Sequence, residues 1–150
     1  MRFFPAALVL LSALSVPACA ATLDDKIPDQ QTLDALEQRA TQAQPKEQCF
    51  LYAQLVHQMI ELSARQIATG DVERATGLLK RAQMLTHRIH MALAGNDRKL
   101  KDAQILLRHT AFRLNELLHE GSFEDRPLVE QTLAQLNAAQ NETMLQVFRK

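Results

Sequence analysis

Five histidines, His57, His87, His90, His109 and His119, are the side chains of this sequence best suited to carry chemistry. Helical proteins hold haem or metal ions through imidazole, carboxylate and thioether groups, so spacing decides what these residues could do. Glu116 and His119 form an E-x-x-H pair, one helical turn apart on one face. A di-iron bundle needs that motif on two helices together with further inward carboxylates, and Glu116 to His119 has no mate. There is no C-x-x-C-H for covalent haem and no H-E-x-x-H for a zinc hydrolase. Turning about 100° per residue, His57 and His87 point roughly 120° from the middle of their apolar stripes and His109 further still, so all three are expected to face outward. His90 lies at a stripe edge, about 60° off. That leaves His90, Glu116 and His119 as weak metal candidates, and the expectation is that no metal or cofactor is bound.

Nucleophilic catalysis has equally little to work with. Beyond residue 20 the serines are Ser63, in an apolar helix seam, and Ser122, at a turn, and neither sits in a G-x-S-x-G elbow. The glycines stand singly, so no glycine-rich loop cradles a phosphate. Carboxylates scatter over polar faces without an inward pair for acid–base work. These absences predict a protein that is not an enzyme. The 17 Lys and Arg residues balance 17 Asp and Glu, which argues against a nucleic-acid partner.

The amino terminus sets the expected compartment. Arg2, the apolar run Phe3 to Val16 and the small-x-small pattern Ala18-Cys19-Ala20 form a secretory signal peptide over 1–20, too short to span a bilayer. A second reading uses Cys19, because Val16-Pro17-Ala18-Cys19 resembles a bacterial lipobox whose thiol becomes acylated, although Pro17 fits that pattern poorly. The chain is therefore expected to be exported, periplasmic or secreted, with a lipid anchor through Cys19 as the alternative. No later segment is long and apolar enough to be a membrane span. Cleavage after Ala20 leaves Cys49 as the lone thiol, which its position on an apolar stripe marks as a buried small hydrophobe rather than a redox or dimerising group.

The elements that position these residues read as helices throughout. Residues 21–28 form a tether ending at Pro28, and 29–150 one helical domain. Asp29 or Thr32 caps a short first helix carrying Leu33, Leu36 and Ala40. The second helix starts at Pro45 and stops at Gly70, with one seam of Cys49, Ala53, Val56, Ile60, Ser63 and Ile67 and another of Tyr52, Leu55, Met59 and Leu62. Two seams cover about half the circumference, so flanking helices must cover them from two sides. The third helix follows a cap at Asp71 and buries Val72, Ala75, Leu79, Ala82, Thr86, Ile89 and Leu93; the fourth, from Asn96 or Asp97 to Glu120, buries Leu100, Ala103, Leu107, Ala111, Leu114 and Leu118. Asp125 and Pro127 open the fifth, whose expected face is Val129, Leu133, Leu136, Thr143, Met144 and Val147. Short links between four long helices of similar length predict an all-α antiparallel bundle with an additional N-terminal helix. The alternative is a helical-hairpin repeat array, because Gly70-Asp71-Val72-Glu73-Arg74-Ala75 with Leu78-Leu79 resembles a tetratricopeptide turn, but no second copy follows on a 34-residue period.

The surface of this bundle carries two features. Ile105 and Phe112 lie opposite the fourth helix's core stripe with His109 between them, to be covered by the first helix or to serve as a docking patch for another protein or a second copy. The third and fourth helices are rich in Lys and Arg, while the tether and first helix lean acidic. Together these point to an exported helical interaction or structural module of the bacterial cell envelope. The competing readings are a metal- or haem-binding bundle and a lipid-anchored adaptor of helical repeats.

Overall fold

The structure, a computed structural model, describes residues 28–93, 99–120 and 124–149. The expected signal peptide, Cys19 and nearly all of the tether lie outside the described residues, as do Gly95, Asn96, Asp97 and Ser122. Among the described residues there are five helices and no strand: α1 (Gln30–Gln42), α2 (Pro45–Ala68), α3 (Val72–Ala92), α4 (Leu100–Glu120) and α5 (Arg126–Phe148). None of them is long and apolar enough to cross a membrane.

Local signals explain most of the boundaries. Asp29 caps α1, its Oδ1 accepting from the Thr32 amide at 2.8 Å and the Thr32 hydroxyl at 2.6 Å. Pro45 occupies the first turn of α2, where a missing N–H costs nothing. Gly70 ends that helix at φ +84°, a left-handed conformation that a Cβ would strain. Two expected caps behave otherwise. Asp71 makes no capping bond and instead faces Arg74 at 3.4 Å, while the Asp125 carboxylate accepts from the Thr76 hydroxyl, tying the start of α5 to the start of α3.

The four long helices form a bundle around one core, as the apolar periodicity predicts. Helices α2 and α3, joined by a tight turn, make one antiparallel hairpin, and α4 with α5 makes the other. The hairpins lie side by side: Phe50 meets Lys99, His57 meets Thr110 and Glu61 meets Arg113, a register that advances together and makes α2 parallel to α4. Thr76 meets Asp125 and His90 meets Glu142, so α3 is likewise parallel to α5. Around the bundle the order is α2, α3, α5, α4, which puts the consecutive α3 and α4 at diagonal corners.

Both α2 seams are buried from Cys49 to Ser63, with Leu62 and Ile67 half-buried. The width of that apolar surface is matched by three neighbours, α1, α3 and α4. Each wholly buried Leu, Ile or Met side chain here contributes on the order of 2 kcal/mol. Helix α1 docks Leu33, Leu36 and Ala40 on α2, and is clasped from α3 by Arg81, which bonds both Asp34 (2.8 Å) and Glu37.

Inside α3, Gly77 is exposed and a Cβ there would meet nothing within 4 Å. With open space and a helical backbone, the helix propensity of alanine acts unopposed. Gly77→Ala is expected to raise the denaturation midpoint by an amount worth about 0.5–1 kcal/mol. A loss of stability on chemical denaturation would contradict this placement.

Candidate functional site

Two of the bundle's open grooves hold histidines singled out by the sequence. The first runs between α2 and α4 and is lined by Phe50, Gln54, His57, Gln58, Ile105, Leu106 and His109, with a volume of about 390 Å³. It exists because α2 and α4 run parallel with their outer flanks left bare. Helix α1 sits on the other side of α2, towards α3, and makes no packing interface with α4. The first helix therefore does not cover Ile105 and Phe112, which are 44% and 64% exposed.

His57 is the principal surprise in this groove. At about 100° per residue it points away from the α2 stripe, yet it is half-buried, with Nδ1 2.9 Å from the Thr110 hydroxyl oxygen across the α2–α4 seam. Thr110 donates its own proton to the Leu106 carbonyl at 2.8 Å. A hydroxyl has one proton, so the histidine must be the donor, and neutral His57 is the Nδ1–H tautomer. The physical reason for the error is that α2 has three neighbours, and the flank facing α4 lies well away from the stripe centre. His57→Ala is therefore expected to lower stability by about 1 kcal/mol, leaving Thr110 with one partner fewer. Equal melting temperatures for variant and parent would remove the bond from this account.

Gln58 adds a second polar element. Its Oε1 is buried and accepts no hydrogen bond from the described residues, so the groove wall holds a buried acceptor. At one end Lys99 sits over the Phe50 ring at 4.7 Å, and at the other Arg113 joins Glu61 and Glu116 at 3.4 and 3.0 Å. Hydrogen bonding to Glu116 first of all holds the Arg113 guanidinium above its ordinary pKa. Lys101 and Arg108 stand exposed on the same outer face of α4, with no ion pair among the described residues.

The second groove, about 630 Å³, lies between α3 and α5. Thr86 and Ala139 form a shallow floor, because small side chains face each other there, and Gln83, Gln131 and Gln135 line the walls. His90 Nδ1 pairs with the Glu142 carboxylate across it, and the His87 ring lies beside His90 at 6.2 Å between centroids. Sequence reasoning placed His90 at a stripe edge but missed Glu142, since nothing in the sequence signals that α3 and α5 are parallel neighbours.

The structure does not unite the three metal candidates. His90 is near the end of α3 beside α5, whereas Glu116 and His119 lie near the end of α4, at the opposite end of the bundle. Glu116 accepts from Arg113, and His119 donates from Nδ1 to the Asn115 carbonyl at 2.7 Å. Among the described residues no group of three or more His, Cys, Asp or Glu side chains could hold a metal ion. Cys49 is wholly buried in the core. The buried hydroxyls of Ser63, Thr86, Thr110, Thr132 and Thr143 all donate their protons to carbonyls of their own helices.

Charge complementarity between the basic α3 and the acidic first helix is realised at Arg81. Its hydrogen bond, followed by that of Gln30, holds the Asp34 carboxyl below the usual carboxylate range. Burial pulls the Arg81 pKa down, but its bonds to Asp34 and Glu37 outweigh that and hold it above the ordinary value. A depressed carboxylate stabilises the fold above its unfolded pKa and ceases to do so as pH falls through its folded one. Acidification through the range below the ordinary aspartate pKa is thus expected to loosen α1 before the bundle melts. Amide exchange at residues 33–40 should quicken there, and Arg81→Ala should remove most of that pH response. A pH response unchanged in Arg81→Ala would refute the clasp.

What the fold and grooves define is an all-α bundle of two side-by-side hairpins with an accessory helix. Compared with protein-family models, with curated proteins and with solved structures, the chain finds no match in any of the three.

Proposed function

We propose that this protein is an exported, non-enzymatic helical interaction module that docks a partner protein on the α2–α4 face. The observation carrying the proposal is that Ile105 and Phe112 stand exposed along the outer side of α4 while α1 packs elsewhere. They are seven residues apart, the spacing at which a helix face presents two successive anchors. The groove beside them is apolar at Phe50, Ile105 and Leu106, and holds the buried acceptor of Gln58. Lys99, Lys101 and Arg108 surround it with positive charge. The partner that fits is an amphipathic helix with apolar anchors and acidic flanks.

Export rests on the pattern Met1 to Ala20, and the reading as a binding module rather than an enzyme is supported by the placement of the buried hydroxyls on their own helices. A photo-crosslinking residue at 105 or 112, in full-length protein expressed in its own cells, should capture one specific protein, and Phe112→Asp should abolish capture without shifting the melting temperature. The same crosslinker at Glu73, on the far side, should capture nothing. Equal labelling at all three positions, or none at 105 and 112, would overturn the proposal. The mass of the purified mature chain reports separately whether 1–20 is removed or Cys19 is acylated.

A further inference from the structure

The outer face of α3 carries a pattern that docking on α4 does not use. Met84 and Met91 are 67% and 68% exposed, although the solvent side of an amphipathic helix ordinarily carries polar residues. His87 lies between them and is also exposed. The spacing is three residues and then four, so Met84, His87 and Met91 fall on one helix face, each next to its neighbour in the series. His90 is held towards α5 by Glu142, and His87, whose ring lies beside that of His90, is the imidazole between the two methionines in sequence and makes no hydrogen bond among the described residues. Carboxylate, imidazole and thiolate donors alone assemble no cation site among the described residues, but thioethers are a further class of ligand.

We propose that Met84, His87 and Met91 form a binding site for a soft monovalent cation of the Cu(I) class. Thioether sulfur is a soft, neutral donor that favours Cu(I) over Zn(II), Mg(II) or Ca(II), and one imidazole beside two thioethers completes a low-coordinate set. At 1.5 Å rise per residue the Cα atoms of 84 and 91 are about 10.5 Å apart, within the joint reach of two extended methionine side chains meeting at the central imidazole. Methionine's unbranched side chain lets both sulfurs swing over His87 without backbone movement. Binding forms coordinate bonds alone, with no change in oxidation state.

The test uses Ag(I) as a redox-inert probe on the full mature chain, read from the methyl signals of isotope-labelled methionine. The expected result is that the Met84 and Met91 methyls shift together and saturate at one equivalent, while Met59, wholly buried, and Met144, on α5, stay in place. Zn(II) at the same concentration should leave all of them unmoved. His87→Ala, Met84→Leu read at Met91, and Met91→Leu read at Met84 should each weaken Ag(I) binding by about tenfold or more through loss of a ligand. These are exposed helical positions, and an unchanged thermal melt verifies that each variant folds. Because the readout is resolved by residue, silver captured by Cys49 is distinguished from silver at this face. Methyls that fail to move, move at different silver concentrations, respond equally to Zn(II), or keep their response in His87→Ala would overturn the site.

Discussion

Ile60→Asp is expected to leave the domain without a cooperative thermal transition at neutral pH. Ile60 is wholly buried in the α2 seam, within the one core that α2 shares with its three neighbouring helices. Replacing it loses the burial of a large aliphatic side chain, about 2–3 kcal/mol, and places a carboxylate where no cation is available. The carboxyl escapes its desolvation only by taking up a proton or by opening the structure, and either route costs several kcal/mol more. Against the roughly 5–15 kcal/mol that holds an ordinary domain together, that sum removes most or all of the folded population. Circular dichroism during heating reads the result directly. A sigmoidal melt within a few degrees of the parent would mean that α2 is turned the other way.

Leu136→Ala should cost about 2–5 kcal/mol, an effect out of proportion to its place on the least amphipathic of the long helices. The inward stripe of α5 is Val129, Thr132, Leu136, Ala139 and Thr143, so Leu136 is the largest wholly buried side chain the helix contributes. Its neighbours along the stripe are small and, where they are threonines, bonded back to their own helix, so they have little with which to fill the vacated space. The denaturant midpoint should fall while the dependence on denaturant concentration stays unchanged, because the surface exposed on unfolding is the same. A loss below about 1 kcal/mol would place Leu136 outside the core.

Which features could be read in the sequence follows from how strongly each helix is patterned. In α2 the paired seams from Cys49 to Ile60 are dense enough that only one orientation buries them, and α4 from Leu100 to Leu118 is equally unambiguous. In α5 the alanines at 134, 138 and 139 and the threonines at 132 and 143 blur the apolar face. Met144 was accordingly expected inside and is 37% exposed, while Thr132 and Ala139 take buried places. Val72, at the first turn of α3, is likewise at the margin of the solvent. The grooves were harder still, because periodicity gives the direction of a helix face but not the identity of its neighbour. That α4 runs beside α2, and α5 beside α3, decides that His57 meets Thr110 and His90 meets Glu142, and both pairings bridge more than fifty residues of sequence.

Helix α1 leaves the outer face of α4 open, and on the function proposed above a partner docks there. Carbene footprinting of the isolated protein, followed by the same labelling in an extract of its own cells, tests both halves at once. The expected result is strong labelling of Ile105 and Phe112 in the isolated protein and protection of those two residues, with Glu73 unprotected, in the extract. Protection of Ile105 and Phe112 in the isolated protein would mean that the chain covers its own α4, and labelling unchanged by the extract would mean that nothing docks there.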